Sequence, residues 1–147
     1  MVTITKMTLD DLNNIKDILI TDFDDFWNYS IFKSELESSN SYYIVIKNNS
    51  KIIGFAGIKL CPPDCDIMNI VIKKDFRNQG YGLLLLKELI KLSKSFDVQN
   101  IFLDVNEKNL PAISLYNKLG FKKISARKNY YKENNAIIMK LDLSQKQ

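Results

Sequence analysis

The chain has 147 residues, 46% of them apolar and 26% charged, and a formal net charge of +4, which fits one domain with a substantial core. It has no histidine and two cysteines, excluding histidine-based catalysis, most zinc sites and a disulfide-dense secreted scaffold. Basic residues are scattered (Lys73-Lys74, Lys122-Lys123, Arg127-Lys128), so no nucleic-acid partner is expected. With no secretory signal pattern and no apolar stretch near 18 residues, the expectation is a cytoplasmic protein with no membrane partner and reduced thiols.

In chain order, Val2–Lys6 reads as a strand. Thr8-Leu9-Asp10-Asp11 resembles a capping box with Asp in place of Glu, opening a helix with apolar positions Leu12, Ile15, Ile18 and Leu19. Asp22–Tyr29 is acidic and aromatic and is expected to be irregular, and Ile31–Ser38 to be a second helix. Tyr42–Lys47 and Lys51–Leu60 read as a hairpin around Asn48-Asn49-Ser50. Cys61-Pro62-Pro63-Asp64-Cys65 makes the next turn and is too sparse for a four-ligand zinc site. Asp66–Ile72 is a strand, followed by a glycine turn and a long helix to about Ser95. Ile101–Val105 is another strand. Asn109 looks like the N-cap of a helix with Pro111 in its first turn and Gly120 past its end. Phe121–Ala126 and Ala136–Leu143 complete the strands, with Arg127-Lys128-Asn129-Tyr130-Tyr131 expected in the loop between them.

The turn Arg77-Asn78-Gln79-Gly80-Tyr81-Gly82 lies between a β-branched run and a leucine-rich helix, and it holds two of the five glycines. A helix N-terminus offers unpaired backbone N–H groups and a positive dipole end, and glycines let a phosphate approach them. No Gly-Lys-Ser/Thr follows, so the turn is not a P-loop, and it lacks the third glycine and acidic partner of a dinucleotide fingerprint. Arg-x-x-Gly-x-Gly between strand and helix resembles the acetyl-CoA motif of the GCN5-related N-acetyltransferase (GNAT) superfamily. A second stretch, Asn109-x-x-Ala112-x-x-Leu115-Tyr116-x-x-x-Gly120-Phe121, matches a recurrent pattern of the same superfamily. Arg127–Tyr131 followed by Ala136-Ile137-Ile138-Met139 is similar to its ribosomal-protein alanine N-acetyltransferases. The resemblance covers about residues 66–141.

It implies a single N-acetyltransferase domain over residues 1–147 with the GNAT α/β fold. That fold is a mixed, mostly antiparallel sheet flanked by helices, here in the order βααβββαβαββ. Acetyl-CoA is the implied cosubstrate, with no metal, and transfer is by direct attack in a ternary complex. The implied acceptor is a protein or peptide N-terminal α-amine, with the alanine of a small-subunit ribosomal protein as candidate. A small-molecule amine (polyamine, amino acid or antibiotic) is the alternative acceptor. A weakly catalytic CoA-binding regulatory module is the rival from another class.

The same resemblance distributes roles. Backbone N–H groups from Asn78, Gln79, Gly80, Tyr81, Gly82 and Leu83 would hold the pyrophosphate, with added charge from Arg77. Asn69–Ile72 would pair with the pantetheine arm, and the backbone of Ile70, Val71 and Ile72 would face the thioester carbonyl past a bulge. Tyr116 would protonate the leaving thiolate, or simply pack. Asp104 stands where the family has a glutamate base, and its reach is about 1 Å shorter; a bridging water, Asp66, Glu107 or solvent are the other routes. Asn109 would contact the cofactor as well as cap its helix. Tyr130 and Tyr131 would line a peptide groove, with Trp27 on the opposite wall beside Asp22, Asp24 and Asp25; a solvated acidic loop is the other reading of that wall.

Overall fold

The computed structural model describes residues 1–23, 28–131 and 133–144, with Asn129 and Tyr131 given by backbone alone. Strand β1 (Val2–Lys6) is followed by a capping box that forms as read. Asp11 N–H donates to Thr8 Oγ1 (3.1 Å) and Thr8 N–H to Asp11 Oδ2 (2.8 Å), satisfying two donors at the start of helix α1 (Leu9–Ile15). Buried Asp11 also pairs with Lys47 at 2.9 Å. Burial alone would raise its carboxyl, but the Thr8 and Lys47 hydrogen bonds outweigh that and hold it below the usual range.

The single helix expected here is broken. Lys16–Ile18 is a 3₁₀ turn, and α2 (Leu19–Phe23) resumes beyond it, so Asp22 is helical rather than irregular. Ile15, the last residue of α1, sits at φ −119°, ψ 0°, well away from the ideal helical values. Helix α3 (Tyr29–Glu37) starts two residues earlier than predicted because Asn28 caps it, accepting from Ile31 N–H at 2.9 Å.

A two-residue turn at Asn49-Ser50, both with positive φ, joins β2 (Ser41–Asn48) to β3 (Lys51–Cys61). β4 (Asp64–Ile72), α4 (Tyr81–Ser95), β5 (Asn100–Asn106), α5 (Leu110–Lys118), β6 (Lys122–Tyr131) and β7 (Asn134–Asp142) follow. The seven strands form one sheet in the order β1-β2-β3-β4-β5-β7-β6. All pairs are antiparallel except β4 with β5. This is the mixed, mostly antiparallel sheet that the motifs imply, with three α-helices before β2 instead of two. Arg127–Tyr131 lies in β6 and not in a loop, because the hairpin with β7 extends to Tyr131 opposite Asn134.

Helices cover both faces. Leu85, Leu86 and Leu89 of α4 are fully buried against Ile101, Leu103 and Val105 of β5; each such leucine contributes about 2 kcal/mol of burial. On the opposite face Leu12, Leu19, Phe23 and Phe32 pack on Tyr43, Val45 and Phe55. Both cysteines are free: Cys61 is exposed, and Cys65 is buried 3.4 Å from Ser93 Oγ under α4. Burial pushes the Cys65 thiol up. Among the described residues, no helix is long and apolar enough to cross a membrane.

Candidate active site

β4 and β5 pair only at Asp64–Asp66 with Asn100–Phe102, where Asn100 Nδ2 also donates to Asp64 Oδ1 at 3.0 Å. Past Asp66 the two strands lose their shared ladder. Each then leads into a helix on the same side of the sheet, β4 into α4 and β5 into α5. A gap at the carboxyl ends of neighbouring parallel strands is where open α/β sheets bind ligands.

The gap has a local cause. Against β3, Gly57 pairs with Asn69 but Ile58 pairs with Ile67, so Met68 is an extra residue in β4. Such a bulge bends its strand away from regular pairing. The expected bulge is therefore present, two residues before Ile70–Ile72. Those three pair with Ala56, Phe55 and Gly54, with Ile70 and Ile72 packed toward α4 and Val71 toward the other face. Among the described residues, β4 beyond Asp66 has no strand partner on its β5 side, which leaves that backbone edge for an extended ligand.

The glycine turn sits at the α4 end of this gap. Asn78 (φ 63°) and Gly80 (φ 88°) both take left-handed backbone conformations, and Gly80 caps α4 without a side-chain hydrogen bond. Among the described residues, a Cβ added at Gly80 or Gly82 would meet nothing within 4 Å, so the helix N-terminus is open on that side. Tyr81 turns inward onto Phe76, ring centroids 6.4 Å apart, and Leu83 is half-buried. Gln79 Nε2 donates to Asp75 O at 3.3 Å. The Arg77 side chain turns away from the open space: Nε donates to Ile72 O (2.8 Å) and Nη2 to Phe23 O (3.2 Å). It ties the turn to β4 and α2, and the signal for that role is absent from the motif.

On the opposite face of the sheet a cleft of about 540 Å³ is lined by Asp66 and Met68 of β4, Phe102 and Asp104 of β5, and Arg127 and Tyr130 of β6. Arg127 Nη1 lies 3.7 Å from Asp104 Oδ2, and its guanidinium carbon 5.5 Å from the Tyr130 ring centre. Partial burial, then the charges of Asp104 and Asp64, raise the Asp66 carboxyl above the usual range, while Arg127 opposes them. Glu107 is used elsewhere, accepting from the backbone N–H of Asn135. Sequence reading singled out Asp104 and Tyr130 but not Arg127, whose place on the cleft depends on the length of the β6–β7 hairpin.

Asn109 caps α5, its Oδ1 accepting from Ala112 N–H at 3.3 Å. Tyr116, in the last turns of that helix, is half-buried with its ring 5.8 Å from that of Phe121. Trp27, Asp24 and Asp25 lie outside the described residues, as does the side chain of Tyr131.

Residues 12–121 match the model of the acetyltransferase (GNAT) family. A Bacillus subtilis (strain 168) protein is 34% identical over 139 residues, 92% of each chain. A Haemophilus influenzae protein named [Ribosomal protein bS18]-alanine N-acetyltransferase is 34% identical over 77% of this chain and 80% of its own length. The Escherichia coli ribosomal-protein-S18-alanine N-acetyltransferase crystal structure superposes with a TM-score of 0.86 at 28% identity, covering 100% of this chain and 97% of that one.

Proposed function

This chain belongs to the acetyltransferase (GNAT) family, and on that premise we propose that it transfers acetyl from acetyl-CoA to the N-terminal α-amine of a protein. The N-terminal alanine of ribosomal protein bS18, named for the relatives above, is the first acceptor to test. One observation carries the reading. The gap between β4 and β5 has an open helix N-terminus on one face and a cleft lined by two carboxyl groups, Asp66 and Asp104, on the other.

The residues present fit acetyl-CoA, because a Cβ at Gly80 or Gly82 would meet no other part of the described residues within 4 Å and the helix N-terminus there suits a diphosphate. Backbone N–H groups from Asn78 to Leu83 would hold that diphosphate, and Asn109, at the start of α5, would contact the cofactor. The edge of β4 beyond Asp66 would pair with the amide-bearing arm, and a backbone N–H among Ile70, Val71 and Ile72 would face the thioester carbonyl. When bound, acetyl-CoA supplies the activated acyl thioester.

The acceptor amine arrives protonated and must lose a proton to attack. Asp66 takes that proton, since burial and then the Asp104 and Asp64 charges raise its carboxyl above the usual range. Asp104, paired with Arg127 and lining the same cleft, is the second carboxyl that the incoming ammonium group meets. The shorter reach of Asp104 is no obstacle in this arrangement. Tyr116 holds a phenolic proton for the departing sulfur. Tyr130 lines the route of the incoming chain.

Intact-mass analysis tests the reading. Peptides beginning with Ala, Ser or Met, each with a free or blocked α-amine, are incubated with protein and acetyl-CoA beside spermidine and lysine. Acetylation only of free α-amines is expected, with Ala preferred. Modification of spermidine or lysine alone would move the protein to the small-amine class. Acetyl-CoA binding with no acceptor modified would favour a regulatory module.

A further inference from the structure

Within Ile67-Met68-Asn69-Ile70-Val71-Ile72, Asn69 is the one polar side chain. Its Oδ1 and Nδ2 are both buried, and neither has a hydrogen-bond partner among the described residues. A buried amide left unsatisfied is costly, and a leucine of similar size would avoid the cost. The position adds meaning. Asn69 follows the bulged Met68 and lies beyond the last β4–β5 pair, along the open gap.

Strand alternation sets its face. Ile67, Ile70 and Ile72 pack toward α4, whereas Met68 and Val71 pack toward α1 to α3. Asn69 therefore shares the face of Met68 and Val71, and Met68 lines the acceptor cleft. Across the ladder Asn69 pairs with Gly57 and Gly57 with Tyr43. A Cβ on Gly57 would lie 2.2 Å from the Tyr43 ring, so this row of the sheet is closed by an aromatic plane over a bare backbone.

We propose that Asn69 is an acceptor-recognition residue that hydrogen-bonds the backbone of the second residue of the incoming chain, its Oδ1 accepting that residue's N–H and its Nδ2 donating to the same residue's carbonyl. This rests on the α-amine reading above and narrows it. A carboxamide matches the N–H and C=O that one extended residue presents on the same side, donor for acceptor, and spermidine offers no such group. Met68 has an unbranched, adaptable side chain, and its displacement by the chain opens Asn69 to the cleft. Recognition of the backbone alone makes the contact indifferent to the acceptor's side chains.

The test pairs a substrate change with a protein change. The first substrate is an alanine-led peptide, and the second is its ester analogue, in which oxygen replaces the N–H between residues one and two. Wild type should lose about tenfold in kcat/KM on the ester, as expected when a site built for a hydrogen bond meets an analogue lacking it. Asn69→Leu should lose about tenfold on the normal peptide and treat both substrates alike. Its Tm should be equal or higher, because the unsatisfied amide is gone. Equal discrimination by wild type and Asn69→Leu, or a Tm drop with matching loss on both substrates, would overturn the proposal and leave the α-amine reading standing. Failure of wild type on every free α-amine, seen before any variant is made, would remove both. Asn69→Ala guards against a misfit leucine and should give the same substrate pattern.

Discussion

Arg127 of β6 reaches past β7 to bring its Nη1 within 3.7 Å of Asp104 Oδ2 on β5. The pair is partly open to water, so its worth to stability is small. Its place matters more. Arg127 is the one cation on the cleft wall beside Asp66 and Asp104 among the described residues, and it opposes the forces that raise the Asp66 carboxyl.

Removing that cation has a definite sign. In Arg127→Ala the Asp66 carboxyl should rise further, because burial and the Asp104 charge act unopposed. A proton acceptor works only when ionised, so the acid limb of kcat/KM against pH should move to higher pH. We expect a loss of about three- to tenfold on the acid side that fades on the alkaline plateau. A pH–rate profile checks this, and an unmoved acid limb would mean that Asp66 is not the group being titrated.

Asp66 should also leave a mark on folding. Its native carboxyl binds a proton more tightly than the unfolded one does. Stability is therefore greatest below the usual carboxylate pKa and declines as pH rises through the raised native value. Asp66→Asn removes the decline. Its urea midpoint should match wild type at low pH and exceed it at neutral pH, while kcat/KM falls about 100-fold. A midpoint difference that does not vary with pH would refute the linkage.

Part of this arrangement is legible in the residues and part is not. Arg77–Gly82 and Asn109–Phe121 mark both helix starts because turn glycines and caps act within a few residues. The Thr8–Asp11 box is local in the same sense. The hairpin turn at Asn49-Ser50 follows from residues that tolerate positive φ. The Arg127–Asp104 pairing needs the full length of β6 and the register of three strands, which no short window contains. The break at Lys16–Ile18 lies within an apolar spacing that continues helically on both sides, so periodicity runs through it. Arg77 carries the sharpest divergence: the motif places it beside the phosphates, and packing of β4 against α2 turns its guanidinium to two backbone carbonyls.

Tyr116 separates chemistry from binding. Its ring is half-buried beside Phe121, and phenylalanine keeps that packing. Tyr116→Phe should therefore leave Tm and acetyl-CoA affinity near wild type while kcat falls about 100-fold. Equilibrium titration with acetyl-CoA and steady-state rates on the same preparation decide the matter. Unchanged turnover would take the phenol out of the mechanism.

Gly82 offers the converse separation, of cofactor binding from folding. It lies in the first turn of α4, and among the described residues an added Cβ meets nothing within 4 Å. Its φ is not in the left-handed range, unlike that of Gly80 at 88°, so alanine fits the backbone there. Alanine is the better helix former by roughly 1 kcal/mol in a helix interior. Gly82→Ala should thus melt at the same temperature or about 1–3 °C higher. The new methyl group would occupy the space proposed for the diphosphate, so KM for acetyl-CoA should rise about tenfold with kcat little changed. Calorimetry and acetyl-CoA titration together check both halves. A raised Tm with an unaltered KM would show that the diphosphate lies elsewhere, and Gly80 would then be glycine for its backbone conformation alone.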